Sequence, residues 1–249
     1  KLKYFVANWK MHGDLSSFKI IKSIDQFLNR NKRLKKNKYI FCVPNTLIDF
    51  FSNKLKKSSI LIGAQNCHFI ENHGPFTGSV SANMLKKIGA EYVIIGHSEN
   101  RILGDSHKIL KQKIISAVKQ NLNVIFCIGE TFIQKKQKKT FSILRQQINQ
   151  SLKKNLDFKK IIIAYEPIWS IGSGQTPSIL EIKNNIDFIK KYTKSKFRLK
   201  NSTKVLYGGS VNSSNISMLS KIESVNGYLI GGASLSSKKF IDILKKCYK

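Results

Sequence analysis

The stretch YVIIGHSENR, residues 92–101, joins four apolar residues directly to glycine, histidine, serine and glutamate. A continuous apolar run of this kind is typical of a parallel strand that is covered on both faces. An imidazole or a carboxylate is costly to bury without a partner. This stretch therefore predicts a buried strand whose polar carboxyl end either forms a hydrogen-bonded network or faces a cleft.

Runs of the same character recur along the whole chain. We predict strands at Tyr4–Asn8, Tyr39–Val43, Ile60–Ala64, Tyr92–Ile95, Val124–Ile128, Ile161–Tyr165, Lys204–Tyr207 and Gly227–Ile230. Segments with helical spacing lie between the strands. Three stripes mark such helices: Ile109, Lys113, Ile114, Ala117 and Val118, then Phe141, Leu144, Ile148 and Leu152, then Ile179, Ile182, Ile186 and Ile189.

Strict alternation of strand and helix predicts right-handed βαβ units and a parallel sheet. Eight repeats without a linker or a break in composition favour an α/β fold with one closed barrel, a single (β/α)8 TIM barrel over residues 1–249. An open, doubly wound sheet is the alternative, but its early glycine fingerprint is missing. The chemistry of a closed barrel lies at the carboxyl ends of its strands.

The charge balance raises a second alternative. The chain carries 44 Lys and Arg against 14 Asp and Glu, a net charge of +30, which is compatible with a non-catalytic protein that binds DNA or another polyanion. Lysine, isoleucine and asparagine all have A/T-rich codons, however, so genome composition can produce this balance. The lysines also recur on the polar sides of helical patterns. We predict a solvated surface that attracts small dianions, with no nucleic-acid partner.

Cysteine and histidine usage bounds the function further. Cys42, Cys67, Cys127 and Cys247 form no CxxC pair and sit in apolar patterns, which predicts buried free thiols in a reducing cytoplasm. The histidines lack metal-ligand spacing, and no apolar run approaches the ~18 residues of a membrane span. We expect a cytoplasmic protein with no metal, no cofactor and no membrane partner.

Polar residues and glycines concentrate directly after the predicted strands. The clusters are Asn8-Trp9-Lys10, His97-Ser98-Glu99, Cys127-Ile128-Gly129-Glu130, Glu166-Pro167, Gly208-Gly209-Ser210 and Gly231-Gly232-Ala233-Ser234. The carboxyl ends of barrel strands meet at one rim. We therefore expect Lys10, His97 and Glu166 to converge on a single site.

Eight short motifs follow one another along nearly the whole chain. They are ANWKM (7–11), GAQN (63–66), FTG (76–78), GHSE (96–99), CIGE (127–130), AYEPIWSIGSG (164–174), YGGSV (207–211) and GGASL (231–235). This ordered set resembles the triosephosphate isomerase family. The resemblance implies a cofactor-free enzyme of glycolysis and gluconeogenesis that interconverts dihydroxyacetone phosphate and D-glyceraldehyde 3-phosphate through an enediol(ate). Another sugar-phosphate barrel enzyme would keep the phosphate glycines but not the set of Lys10, His97 and Glu166.

Moving a proton between adjacent carbons of a triose phosphate requires a base, an electrophile that polarises the carbonyl, and a site that binds the phosphate group. Glu166, at a strand end in an apolar stretch, is the expected base. The resemblance makes His97 the electrophile. In that family, this histidine is known to act as a neutral imidazole at a helix N-terminus. We expect Ser98 to cap that helix.

Asn8 and Lys10 complete the expected catalytic group. Alternation along one strand places both on the same face, and a lysine at a strand end is rarely part of a core. By resemblance, Asn8 donates a hydrogen bond, Lys10 neutralises substrate charge, and Glu99 holds the lysine. This arrangement supplies fixed positive potential where the enediolate oxygen gains charge.

Glycine-rich turns after the last two strands predict the phosphate site. Main-chain N–H groups approach an anion closely where bulky side chains are absent. The loops after the last two strands are also the usual phosphate site of such barrels. By resemblance, Gly172, Ser210 and Gly232 supply N–H groups, and Gly231 shapes the loop.

The segment PIWSIGSGQTP, residues 167–177, resembles the family's lid, whose closure excludes water. The implied lid and hinge residues are Pro167, Trp169, Ile171, Gly174 and Tyr207. Pro177 departs from the family pattern, because the family's closed lid joins a backbone N–H at this position to the hydroxyl of Tyr207, and proline has none. We expect the latch to rely more on Ser210.

The resemblance also implies a homodimer in which loop 66–79 inserts Thr77 toward the neighbour's site. The family usually pairs a glutamate and an arginine across this interface. Ser79 and Asn100 stand in their places here. Because both partners are lost together, no buried charge is stranded, and we expect the dimer to persist.

Overall fold

A computed structural model, which describes residues 2–172 and 175–248, forms a closed barrel of eight parallel strands. The strands are β1 (Tyr4–Asn8), β2 (Lys38–Cys42), β3 (Ile60–Ala64), β4 (Tyr92–Ile95), β5 (Asn123–Ile128), β6 (Ile161–Tyr165), β7 (Lys204–Tyr207) and β8 (Gly227–Ile230). Each strand pairs with the next, and β8 pairs with β1 to close the barrel. The predicted fold class is confirmed. Strands β2 and β5 begin one residue earlier than the sequence predicted, and β2 also ends one residue earlier.

Helices alternate with the strands and cover the outside of the barrel. Within the described residues they are α1 (Phe18–Arg30), α2 (Asn45–Lys54), α3 (Ala82–Lys87), α4 (Ser98–Ile102), α5 (His107–Lys119), α6 (Phe132–Lys136), α7 (Thr140–Ser151), α8 (Ile179–Phe197), α9 (Ile216–Leu219) and α10 (Ser237–Lys246). A serine or threonine side chain accepts a backbone hydrogen bond at the start of α3, α5, α6, α8 and α10, which stabilises those helix ends. In this part of the chain, no helix combines the length and apolarity that a membrane span requires.

The strands fill the barrel from within, because successive residues of a strand point to opposite faces. The inward residues form one apolar cluster, made of Tyr4, Val6, Ile40, Cys42, Tyr92, Ile94, Ile125, Cys127, Ile162, Ala164, Leu206 and Leu229. Outward residues such as Phe5 and Tyr228 join the larger core beneath the helices. Full burial of a large apolar side chain contributes ~1.5–3 kcal/mol, so a register shift that reversed the two faces would be strongly unfavourable.

The helical stripes differ from the prediction at particular residues. Phe141 and Ile179, expected on the buried stripe, are exposed in the first turns of α7 and α8. Phe141 stacks on Phe188 of the neighbouring helix, with ring centroids 4.5 Å apart. Lys113, expected at the edge of its stripe, is buried and forms an ion pair with Asp105 at 2.7 Å.

Candidate active site

Four residues continue the inward series of the barrel beyond its apolar interior. Asn8, Glu166, Gly208 and Gly231 each stand two residues after the last inward apolar residue of β1, β6, β7 and β8. Period-two alternation therefore turns all four toward the carboxyl-terminal mouth of the barrel. All four line one cavity of about 500 Å³, which we call the mouth cavity.

The mouth cavity brings together residues that are distant in the sequence. Among the predicted site residues, its lining contains Asn8, Lys10, His97, Glu166, Ile171, Gly172, Ser210, Gly231 and Gly232. The predicted residues outside its lining are Glu99, Pro167, Trp169, Tyr207 and Thr77. Gly174 lies outside the residues that the structure describes.

The carboxylate of Glu166 is buried and only partly satisfied. Its Oε1 lies 3.7 Å from His97 Nε2, and its Oε2 has no hydrogen-bond partner among the described residues. Burial raises the pKa of Glu166 above its ordinary value, while the nearby His97 and a hydrogen bond with the Cys127 thiol oppose that rise. A carboxylate with a raised pKa and an unpartnered oxygen is suited to accepting a proton.

Two glycines provide the space that Glu166 occupies. A Cβ on Gly208 would lie 2.5 Å from the Cγ of Glu166, closer than packed carbon atoms approach. A Cβ on Gly129 would lie 1.8 Å from the Glu166 carbonyl oxygen. Both positions therefore require glycine because of the packing around this one glutamate.

The glycines after β7 and β8 were expected to expose backbone N–H groups to an anion, and this reason applies to only two of the four. A Cβ on Gly231 or Gly232 would meet no other atom within 4 Å, so their backbone is open to the mouth cavity. A Cβ on Gly209 would instead lie 2.2 Å from the Tyr207 hydroxyl. Gly208 and Gly209 thus accommodate neighbouring side chains, and Gly231 and Gly232 leave an open backbone wall.

His97 is the N-cap residue of α4, a place that the sequence assigned to Ser98. Its Nδ1 accepts a hydrogen bond from the Glu99 backbone N–H at 3.3 Å, and Ser98 is the first helical residue. Because Nδ1 accepts, the proton of the neutral ring belongs on Nε2, the atom that faces Glu166. The Glu99 carboxylate lies 3.5 Å from the same Nδ1, but Lys10 engages it more closely.

Gly96 turns the chain so that His97 enters the site. Alternation from the inward residue Ile94 would point His97 away from the mouth, but Gly96 adopts a φ of 79°, in the left-handed region. Arg101 holds this turn by donating to the carbonyl oxygens of Gly96 and Cys127 at 2.7 and 2.9 Å.

Lys10 reaches the rim through an uncommon backbone conformation. It lies two residues beyond β1 with a φ of 54°, and its backbone N–H donates to Asn8 Oδ1 at 3.1 Å. Simple strand alternation therefore does not continue as far as Lys10. Its Nζ lies 2.6 Å from Glu99 Oε1, and the two side chains are 32% and 55% exposed, so water screens the pair.

Trp169 anchors the start of the segment that follows β6. Residues Ile168–Ser170 form a 3-10 turn directly after Pro167. The indole N–H of Trp169 donates to the buried carboxylate of Glu130 at 3.1 Å, and Lys135 Nζ lies over the indole, 3.9 Å from the ring centroid. These contacts tie the turn to the loop after β5 and to α6.

Ser170 joins the two ends of the same segment. Its hydroxyl donates to the Gln175 carbonyl at 2.6 Å and accepts from the Ser210 backbone N–H at 3.5 Å. The buried hydroxyl of Tyr207 lies beside Ser170, but no hydrogen bond of normal geometry joins it to a described residue. Gly172, with a φ of 69°, completes this wall of the mouth cavity.

A second, smaller cavity of about 280 Å³ has lining residues in common with the mouth cavity. It shares Asn8, Lys10 and His97 with the mouth cavity and extends to Glu99 and Asn100. The loop of residues 72–79, which contains Thr77 and Ser79, is exposed throughout.

Three residues near the site were given no role in it by the sequence. Cys127 is the inward residue of β5 beside Glu166, a position that alternation could have revealed. Glu130 is a buried acid directly after the same strand. Lys239 lines the mouth cavity, but it belongs to the polar run 236–239 and carries no local signal.

Metal-ligating residues do not cluster in the described part of the chain. Within residues 2–172 and 175–248, no three His, Cys, Asp or Glu side chains are grouped so that they could hold a metal ion. The four cysteines are unpaired and buried.

The fold and the site define an enzyme of the (β/α)8-barrel class. A buried carboxylate and an imidazole N–H face a cavity whose lining includes open glycine backbone, so the site can move a proton on a small anionic molecule. A sequence model of the triosephosphate isomerase family matches residues 3–247. The chain belongs to this family.

Individual relatives support the same assignment. A triosephosphate isomerase of Thermodesulfovibrio yellowstonii is 40% identical over 245 residues, which cover 98% of each chain. That of Dictyostelium discoideum is 38% identical over 248 residues, 97% of this chain and 95% of the other. The crystal structure of triosephosphate isomerase from Bartonella henselae matches with a TM-score of 0.90 and 36% identity, and the match covers 100% of both chains.

Proposed function

We propose that this chain interconverts dihydroxyacetone phosphate and D-glyceraldehyde 3-phosphate through an enediol(ate), as in glycolysis and gluconeogenesis. Glu166 removes a proton from the carbon beside the carbonyl and returns it to the neighbouring carbon. His97 Nε2–H donates to the substrate oxygen that gains charge, and Asn8 and Lys10 add a hydrogen bond and positive potential. Because the reaction only moves protons, its balance requires no cofactor.

One observation carries this proposal. Glu166 Oε1 and His97 Nε2 lie 3.7 Å apart on the wall of the same cavity. A base and a hydrogen-bond donor at this separation can reach a C–H bond and the adjacent carbonyl oxygen of one three-carbon substrate. Lys10, held by Glu99 at 2.6 Å, faces the same space.

The glycine residues of the mouth cavity form the proposed phosphate site. Gly231 and Gly232 present open backbone there, and Gly172 and Ser210 line the same cavity. Residues 167–177 are the proposed lid, with Pro167 and Trp169 at its first hinge and Ile171 facing the cavity. Its closure would exclude water from the enediolate.

A coupled isomerase assay on the purified protein tests the proposal. Glu166→Asp withdraws the carboxylate by about one bond, and misplacement of this size can lower kcat by ~10²-fold. Glu91→Asp makes the same chemical change at a half-exposed carboxylate paired with Lys86, and we expect it to leave turnover unchanged. An inactive wild-type protein, or a Glu166→Asp variant with wild-type turnover, would refute the proposal.

We also propose that the protein is a homodimer. Met11, Ile102 and Leu103 are 93%, 82% and 85% exposed, and Met11 and Leu103 line the second cavity. Apolar residues gathered beside a cavity mark an interaction surface. A two-fold axis would place the exposed loop of one copy, with Thr77, in the second cavity of the other.

Sedimentation velocity at micromolar concentration tests this assembly. We expect the wild type to be a dimer and Leu103→Lys to dissociate it, because a charge would be buried at the interface. Leu180→Lys, at another exposed leucine, is the control and should remain dimeric. A monomeric wild type would contradict the proposed dimer without bearing on the chemistry.

We place the whole chain, residues 1–249, in one catalytic domain, and the protein in the cytoplasm. The buried free thiols support a reducing compartment. Fractionation of cells that express the protein from its own gene tests the location.

A further inference from the structure

The mouth cavity is lined by a lysine, Lys239, that has no role in the sequence patterns or in the proposed catalytic mechanism. Lys239 lines the cavity together with Gly231, Gly232 and Ser210, the residues of the proposed phosphate wall. It is exposed, so its side chain is free to turn toward a ligand in this cavity.

Lys239 is anchored through its backbone. It is the third residue of α10, and its N–H donates to the capping hydroxyl of Ser236 at 3.4 Å. A cation in the first turn of a helix is opposed by the helix dipole, and no acidic residue occupies this turn. Helix stability therefore does not explain a lysine at this position.

Lys239 differs from the other lysine that lines the cavity in having no acidic partner among the described residues. Among the described lining residues, Lys10 and Lys239 are the two lysines and Glu166 is the one acidic residue. Lys10 is already paired with Glu99 at 2.6 Å. Lys239 forms no ion pair with any residue in ranges 2–172 and 175–248. It is thus available to balance a dianionic group.

We propose that Lys239 is a phosphate-binding residue, which contributes a side-chain ammonium to a site otherwise built from backbone N–H groups. This inference rests on the proposed function, because the phosphate of a triose phosphate is the group that Lys239 would contact. The ammonium would approach from the rim and form a charge-assisted hydrogen bond with a phosphate oxygen. Its role is binding, so the proton-transfer residues would be unaffected by its loss.

Lys239→Met tests the proposal, with Lys238→Met as the matched control. Lys238 is the preceding residue of the same helical turn, is exposed and does not line the cavity, and its replacement changes net charge equally. Because Lys239 is solvent-exposed, we expect Lys239→Met to raise KM by about three- to tenfold, with a smaller change in kcat. The inhibition constant of inorganic phosphate should rise by a similar factor.

Two further measurements separate phosphate binding from a structural effect. The ratio of kcat/KM for glyceraldehyde 3-phosphate to that for unphosphorylated glyceraldehyde should fall in Lys239→Met and be retained in Lys238→Met. Lys239→Arg should recover most of the loss, because it restores the positive charge. Equal melting temperatures of the two methionine variants would show that α10 is intact.

The proposal is overturned if the two methionine variants bind phosphate and substrate equally well. Calorimetric titration with inorganic phosphate makes this comparison without any turnover. An inactive wild-type enzyme would refute the proposed isomerase function alone, while the titration would still decide whether Lys239 binds phosphate.

Discussion

The substitution Glu166→Gln keeps the shape of a buried side chain and removes its charge. In the wild type, burial raises the pKa of Glu166 above its ordinary value of 4.5, and Oε2 lacks a hydrogen-bond partner among the described residues. A raised carboxyl pKa means that folding disfavours the ionised form. The charge that the proposed mechanism needs therefore lowers the stability of the fold at neutral pH.

The size of the effect follows from the unpartnered oxygen. A buried polar atom without a partner costs about 1–3 kcal/mol, and more when it is charged. Glutamine would itself leave part of its amide poorly paired, so we expect the free energy of unfolding to increase by an amount near the lower end of this range, about 1 kcal/mol. In a domain of this size such a gain raises Tm by about 2–4 °C. Turnover should fall by at least ~10²-fold, because the base is gone.

The gain should also depend on pH in a defined direction. Since the folded-state pKa of Glu166 is raised, stability from its neutral form is fully present below the unfolded value of 4.5 and is lost as pH rises through the folded value. Glu166→Gln behaves as the neutral form at every pH. The Tm difference between variant and wild type should therefore be largest at neutral pH and shrink as pH approaches 4.5.

Thermal unfolding monitored by circular dichroism between pH 5 and 8 measures this difference. Glu91→Gln is the control, because it raises the net charge equally at a half-exposed carboxylate paired with Lys86 at 3.3 Å. We expect the control to be unchanged or slightly less stable. The reasoning fails if Glu166→Gln melts no higher than Glu91→Gln at pH 7, or if its advantage grows as the pH falls.

Two other substitutions probe the space around the site. Gly208→Ala should lower kcat by ~10²-fold, because its Cβ would lie 2.5 Å from the Cγ of Glu166 and displace the base. In Gly231→Ala the added Cβ meets nothing within 4 Å but lines the proposed phosphate site, so this variant should mainly raise KM. Steady-state kinetics measures both parameters, and a loss of kcat alone in both Gly208→Ala and Gly231→Ala would contradict this reasoning. Tyr207→Phe should hardly change turnover or Tm, because its hydroxyl lies beside Ser170 without a hydrogen bond of normal geometry. A large drop in kcat would show that this hydroxyl latches the lid.

Much of the fold and part of the site could be predicted because strand patterns are local. Eight continuous apolar runs located the strands to within one residue, and alternation along β1 and β6 orients Asn8 and Glu166 toward the barrel mouth. The same rule fails at His97, because Gly96 turns the chain, and at Lys10, because that residue adopts a left-handed backbone conformation.

The amino-acid sequence by itself determined the order of strands and helices, the two faces of each strand, and which polar residues follow each strand. Only the tertiary structure decided which of those residues meet. Gly208 is a glycine because the side chain of Glu166, far away in the sequence, fills the space beside it. Lys239 faces the mouth cavity because α10 begins beside the open glycine backbone after β8. Such contacts depend on closure of the barrel, which sets distances between strand ends that no local pattern contains.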